Sequence, residues 1–411
     1  MYWTRRIGML AAGSALTALA AMSAGGAALA ASSGPAVRTS NPPFRVKVIG
    51  RLPSGKPKLT SASPTGLSPG AVQSVYSLSG LSPSSGAGAG QVIAIVDAYH
   101  DPNALSDLNT FNAQYGYAQL SACTSLSQSG PCFEQADPQG TPNVNSGWVL
   151  EESLDIEWAH AEAPAAKIVL VEAASNSNSN LFGAVSYANS IGATEVSMSW
   201  GGGESSGETT YDADMTRSGT FYTASAGDSG HGAEYPAASP NVIAVGGTTL
   251  NGCSGTSCAG FTSETTWSGS GGGASADEPI PGYQSSYTGP VYGAATISAL
   301  TGSKRGIPDV SFDANPSTGV SVYDSTRYQG QSGWFTLGGT SVGAPNWAGV
   351  LAAGSAAGKT ALQGHSAIYS GGYATNLRDI TSGTNGTCGT DCTAGSGYDL
   401  VTGLGSPVNY P

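Results

Sequence analysis

Apolar residues run unbroken through Gln91-Val92-Ile93-Ala94-Ile95-Val96-Asp97 and again through Lys167-Ile168-Val169-Leu170-Val171. Both runs are short for a helix and rich in β-branched residues, which marks strands buried on both faces. Further strand signals lie at Glu195–Trp200, Thr220–Ala226 and Val242–Val245. Between and after them the spacing turns helical: over 103–114, over 148–163 where Pro164 ends the pattern, near 180–190, and over Val342–Ala357. Strands alternating with helices predict an α/β fold, a parallel sheet with helices on both faces. Gly/Ser-rich loops dominate 251–305, and no internal repeat is present. The stretch from 71 to 411 is large for one core but acceptable for one α/β domain with long loops.

Composition narrows the function classes. The 411 residues are 39% hydrophobic, ordinary for a folded protein, but only 10% are charged. There are 15 Lys and Arg against 27 Asp and Glu, so no basic surface for nucleic acid is expected. After the first 31 residues no apolar run is long enough to span a bilayer. Beyond Gly70 stand all 27 acids and seven bases, 7 − 27 = −20. A domain so acidic repels itself at neutral pH and less so in acid, which suits a low working pH.

Residues 1–30 read as a signal peptide, with Arg5 and Arg6, an Ala/Leu/Gly-rich stretch and the small-x-small site Ala28-Leu29-Ala30. A secreted, extracellular protein is therefore expected, with no membrane contact once the signal is removed. Residues 31–70 hold six basic residues and no acid, and read as a linker or short pro-segment able to dock on the acidic domain, or as a solvated tail. The six cysteines fall into the close couples Cys123/Cys132, Cys253/Cys258 and Cys388/Cys392. An even count in an exported chain predicts three local disulfides, whereas zinc would want clustered ligands.

The sharpest chemical signal is Gly338-Gly339-Thr340-Ser341-Val342-Gly343-Ala344-Pro345. A serine opening a helix has backbone N–H groups and the positive dipole end beside it, which suits a nucleophile whose product is an oxyanion. It equally suits a plain N-cap. In Trp148-Val149-Leu150-Glu151-Glu152-Ser153-Leu154-Asp155-Ile156-Glu157, Glu151 and Asp155 are four apart and share a helix face. Buried together, such a pair holds one proton between them; on the surface it is a solvated face, as expected of Glu152 and Glu157. Asp228 sits in the glycine turn Ala224-Ser225-Ala226-Gly227-Asp228-Ser229-Gly230, a place where Asp is commonly structural. Near the C-terminus come Arg378-Asp379-Ile380-Thr381, Ala394-Gly395-Ser396-Gly397-Tyr398-Asp399 and Thr402-Gly403-Leu404-Gly405.

The serine segment resembles the GTSxxxP signature of the subtilisin-like clan, but the His-Gly-Thr-His helix of subtilisins is absent. With the Glu151/Asp155 helix in its place, the chain resembles the sedolisin (serine-carboxyl peptidase) family over about residues 71–405. The resemblance implies a subtilisin-like parallel sheet flanked by helices. It implies Ser341 as nucleophile, Glu151 as general base then acid, Asp155 as its support and Asp228 as a protonated donor to the oxyanion. It also implies a Ca²⁺ site of Asp379, Asp399 and the carbonyls of Ile380, Gly395 and Gly397, an all-oxygen set. Asp97 is at most an accessory, linked through Trp200. Family members usually carry a large folded pro-domain; here about 40 to 60 residues separate signal and core. The expected protein is a secreted, monomeric, acid-acting endopeptidase on protein or peptide substrates. The alternatives are a histidine-dependent subtilisin-type peptidase and a non-catalytic secreted binding protein on the same scaffold.

Overall fold

A computed structural model describes residues 38–78, 80–356, 364–370 and 376–408. The expected signal peptide, 1–30, lies outside the described residues. From Arg38 onward the chain forms one compact unit, so the described part of the basic stretch is built into it.

The elements that position the site are, in order, β1 (Arg45–Val46), β2 (Val92–Ala98), α1 (Ala104–Tyr115), β3 (Phe133–Ala136), α2 (Ser146–Glu162), β4 (Lys167–Ala173), α3 (Asn178–Ser190), β5 (Glu195–Met198), β6 (Phe221–Ser225), β7 (Ile243–Asn251), β8 (Ser263–Thr266), β9 (Val310–Asp313), β10 (Val320–Tyr328), β11 (Gln331–Gly338) and α4 (Gly343–Ala356). The main sheet runs β8-β7-β6-β5-β2-β4-β3, with β9 also on β7. Only the β7/β8 pair is antiparallel.

Alternation along β2 explains the two-sided burial. Ile93 and Ile95 pack with Ile156 and Ala159 of α2 and Ala348 and Ala352 of α4. Val92, Ala94 and Val96 pack with Leu181, Phe182 and Val185 of α3. Successive side chains point to opposite faces, so a strand covered twice is apolar throughout.

Helix α2 begins where Asn145 accepts the N–H of Gly147 at 3.0 Å, a side-chain N-cap. It stops at Ala163, before Pro164. Its burial corrects one expectation. Glu152 and Glu157 are not on a solvated face: every residue from Trp148 to Glu162 is buried. The cause is the β10–β11 hairpin, which covers the side of α2 turned from the sheet. Trp158 Nε1 donates to the Ser321 carbonyl at 3.0 Å, and Glu157 accepts the Tyr323 N–H at 3.1 Å. The hairpin gave no signal in the sequence reading, and neither did the short paired strands Gly273–Pro279 and Lys304–Ile307 within the expected loop region. The three cysteine couples are disulfides as expected.

Candidate active site

Ser341 lies in a single 3₁₀ turn, Thr340–Val342, that leads into α4. Gly339 precedes it with φ +106°, where a Cβ would come within 2.2 Å of the Pro43 carbonyl oxygen and 2.7 Å of Asp228 Oδ2. Only glycine fits there. The turn aims Ser341 into the protein, where it is fully buried, and its hydroxyl caps nothing. The plain N-cap alternative therefore fails. Ser199 Oγ donates to the Ser341 carbonyl at 3.3 Å and so ties this turn to the end of β5.

Because α2 and α4 cover the same sheet face, Glu151 and Asp155 come to Ser341. All three side chains are buried without a partner in full hydrogen-bond geometry. They are close enough to bear on one another. Burial pushes the Glu151 carboxyl well above its usual range, the charges of Asp155 and Asp97 push it further, and the Ser341 hydroxyl pulls it back. Asp155 is raised by burial and eased by Ser199 and Glu151. Asp97, at the end of β2, is raised by burial, then by Asp155 and Glu172. Three carboxyls in one dry site cannot all ionise, so protons are retained among them. Trp200 is not their link: its indole N–H donates to the Val96 carbonyl at 2.7 Å.

Asp228 follows β6 and faces the same turn. Its Oδ1 accepts the Thr340 N–H at 2.8 Å and the Thr340 hydroxyl at 3.0 Å. Oδ2 is buried without a hydrogen bond. Burial pushes its pKa up to about 7 against those bonds and the nearby Arg45. In acid it is a neutral carboxylic acid with one oxygen fixed and the other free to donate. Sequence reasoning missed Thr340 and Ser199 as positioning residues. Thr340 lies inside the quoted serine motif and Ser199 inside the Glu195–Trp200 strand signal, yet nothing in a linear sequence tells which partner a hydroxyl finds.

The basic stretch also reaches this place. Asn41 bridges Gly201 and Arg45 pairs with Gly338, both antiparallel. Arg45 donates to the Asp228 carbonyl at 2.9 Å, and its Nε lies 3.6 Å from Asp228 Oδ2. Among the described residues no histidine hydrogen-bonds Ser341, Glu151 or Asp155; His160 is buried against Tyr117.

At the C-terminal end, one glycine loop holds both candidate metal carboxylates. Gly395 N–H donates to Asp399 and Gly397 N–H to Asp379, each at 2.9 Å. Thr402 Oγ1 spans Asp399 and the Ile380 carbonyl, at 3.2 and 3.5 Å. Burial pushes Asp399 up to about 7 despite four backbone and side-chain donors, and no cationic side chain eases it. Two carboxylates, an adjacent buried carbonyl and no counter-charge fit a hard cation.

The sequence profile of the subtilase family matches residues 140–366, which include Glu151, Asp155, Asp228 and Ser341. Kumamolisin of Bacillus sp. (strain MN-32) is 33% identical over 382 residues, 85% of this chain and 63% of kumamolisin. Sedolisin of Pseudomonas sp. (strain 101) is 28% identical over 338 residues, 74% of this chain and 54% of sedolisin. The chain thus spans less than two thirds of the length of these curated relatives. A solved structure of Pseudomonas sedolisin (serine-carboxyl proteinase), complexed with two molecules of pseudo-iodotyrostatin, superposes with a TM-score of 0.66 at 27% identity, covering 84% of this chain and 96% of that one. With this profile match, these relatives and the shared fold, the chain belongs to the subtilase family and, within that fold, to the sedolisin (serine-carboxyl peptidase) family.

Proposed function

We propose that the chain is a secreted, monomeric, acid-acting serine-carboxyl endopeptidase. The observation that carries this is a buried serine hydroxyl set against a carboxyl, itself set against two more, with a half-bonded Asp228 beside them. Ser341 Oγ attacks the peptide carbonyl while Glu151 takes its proton. The tetrahedral oxyanion receives a hydrogen bond from protonated Asp228 Oδ2. Glu151 then gives the proton to the leaving amine and an acyl-enzyme remains. Water, deprotonated by Glu151, attacks the acyl carbon, and Glu151 returns that proton to Ser341 Oγ as the acyl–oxygen bond breaks and the acid product leaves. Asp155 keeps Glu151 in place and shares the proton load.

Asp228 must be protonated to donate, so activity falls as pH rises through its pKa of about 7. With carboxyls as the working groups, casein digestion should peak at about pH 3–5. A maximum above pH 7 would contradict the reading.

Residues 39–46 serve in this reading as a pro-segment that covers the site. Their antiparallel pairing on both sides and the Arg45 contact with Asp228 support it. Mass spectrometry of active enzyme should find this segment removed, and full turnover by protein that still carries Thr39 would refute it.

Asp379, Asp399 and the carbonyls of Ile380, Gly395 and Gly397 would hold Ca²⁺, whose charge would offset the two carboxylates and fix the loop. At calcium a thousand times its Kd the ion adds about 4 kcal/mol of stability. EDTA should lower Tm, and Ca²⁺ alone should restore it; no change with EDTA would remove the site.

A further inference from the structure

The carboxyl ends of three neighbouring parallel strands meet at a cluster that the proposed mechanism does not use. β2 is followed by His100, β4 carries Glu172, and β3 is followed at once by Asp137. The order β2-β4-β3 makes these ends adjacent, and the register pairs Asp97 with Glu172 and Ala136 with Val171. In open parallel sheets the crevice beyond the carboxyl ends is where ligands bind. His100 Nδ1 lies 2.8 Å from Glu172 Oε2. One nitrogen or oxygen from each of His100, Asp137 and Glu172 falls within 4.8 Å of the other two.

The surroundings hold these groups and, among the described residues, bring no lysine or arginine to them. The His100 backbone N–H donates to the Asn143 carbonyl at 3.1 Å. Glu172 Oε1 accepts the Asp101 N–H at 2.8 Å and Gln135 Nε2 at 2.6 Å. Asp137 Oδ2 accepts the Thr141 hydroxyl at 2.6 Å, while its Oδ1 is buried with no partner. Behind them Glu152 is 0% exposed and neither of its oxygens has a partner; Glu172 is the neighbouring acid that bears on it most. Asp101 is also 0% exposed, with Oδ2 unpartnered. Among the described residues no lysine or arginine pairs with any of these four acids. Unpartnered buried carboxyl oxygens beside an imidazole, with no described lysine or arginine at hand, leave the place of a cation open.

We propose that His100, Asp137 and Glu172 form a zinc site separate from the C-terminal calcium site. One imidazole and two carboxylates are a ligand set for a borderline divalent ion such as Zn²⁺, whereas Ca²⁺ and Mg²⁺ take oxygen alone. Three protein ligands leave a fourth position for water, and the half-buried His100 keeps that side open. Gln135, Thr141 and the Asp101 N–H are the outer shell that orients the ligands.

The test is calorimetric titration of ZnCl₂ into the full Ser341→Ala chain at pH 7, stripped of metal and then supplied with Ca²⁺. One Zn²⁺ per chain with Kd of about 10 µM or tighter is expected, and it should raise Tm. His100→Ala and, independently, Asp137→Asn should each weaken binding about 100-fold or more, while Asp379→Asn should leave it unchanged. Both ligand variants lie at the rim of the crevice, and a melting curve confirms that each is folded. No binding tighter than about 1 mM, or an unchanged Kd in a folded His100→Ala or Asp137→Asn variant, overturns the site.

Discussion

Replacing Ser341 by alanine is expected to lower kcat/KM on a peptide substrate at pH 4 by about 10⁴-fold or more while leaving Tm within a few degrees. The hydroxyl makes no hydrogen bond that the fold needs, so its loss removes chemistry and little else. Glu151→Gln should fall by a similar factor, because an amide cannot take the serine proton. Residues that act as a unit are not additive, so the double variant should be no worse than either single one by more than about tenfold. A Glu151→Gln enzyme within tenfold of the parent would remove Glu151 as the base. His160 and His231 supply the contrast. Burial pushes His160 down to about 4, so it is a core residue packed beside Tyr117 and neutral above that pH. His160→Ala costs packing, yet it and His231→Ala should keep kcat; a collapse of kcat in a folded His variant would favour a histidine-dependent peptidase.

The pieces of this site were legible because each is local. The spacing of Glu151 and Asp155, the small residues before Ser341 and the glycine turn at Asp228 all stand in short stretches of sequence. The strands of the main sheet were legible for the same reason, since double-sided burial leaves an unbroken apolar run. What could not be read is long-range. Glu152 and Glu157 are buried because a hairpin some 170 residues later, beginning at Val320, closes over α2, and their helical spacing carries no trace of it. The basic stretch could be read as oppositely charged to the domain, but not as a strand on β11 with Arg45 at Asp228. Composition pointed to acid for an incomplete reason. Eighteen of the 27 acids are buried, so the larger effect of pH lies in protonating the interior rather than in relieving surface repulsion.

That burial gives the second large expectation: the folded protein should be far more stable near pH 4.5 than near pH 7.5. Glu151, Asp155 and Glu157 are raised well above their ordinary range, chiefly by burial. Glu162, also buried, is pushed up to about 8 against its bond from Gln73. Glu151, Asp155 and Asp97 retain protons shared among them, with one carboxylate left ionised to act as base, and Glu157 and Glu162 keep theirs, at a pH where the unfolded chain has lost them. The stability each adds is fully present below its unfolded pKa of about 4 and is lost as pH rises through the folded value. A single such group costs up to about 1.4 kcal/mol per pH unit across that window, and several titrating together cost a few. For a chain of this size that lowers Tm by more than about 10 °C between pH 4.5 and 7.5. Asp309 runs the other way. Burial alone would raise it, but the Arg305 guanidinium, hydrogen-bonded to it, holds it well below the usual carboxylate range. Its contribution is present above its unfolded pKa and disappears only in stronger acid, so it sets a floor to the stable range rather than opposing the trend. Calorimetric melting of Ser341→Ala, which cannot digest itself, at fixed calcium across pH 3–8 reads the slope directly. An equal or higher Tm at pH 7.5 would mean that these buried acids are ionised and compensated, and the proton-sharing cluster around Glu151 would fall with them.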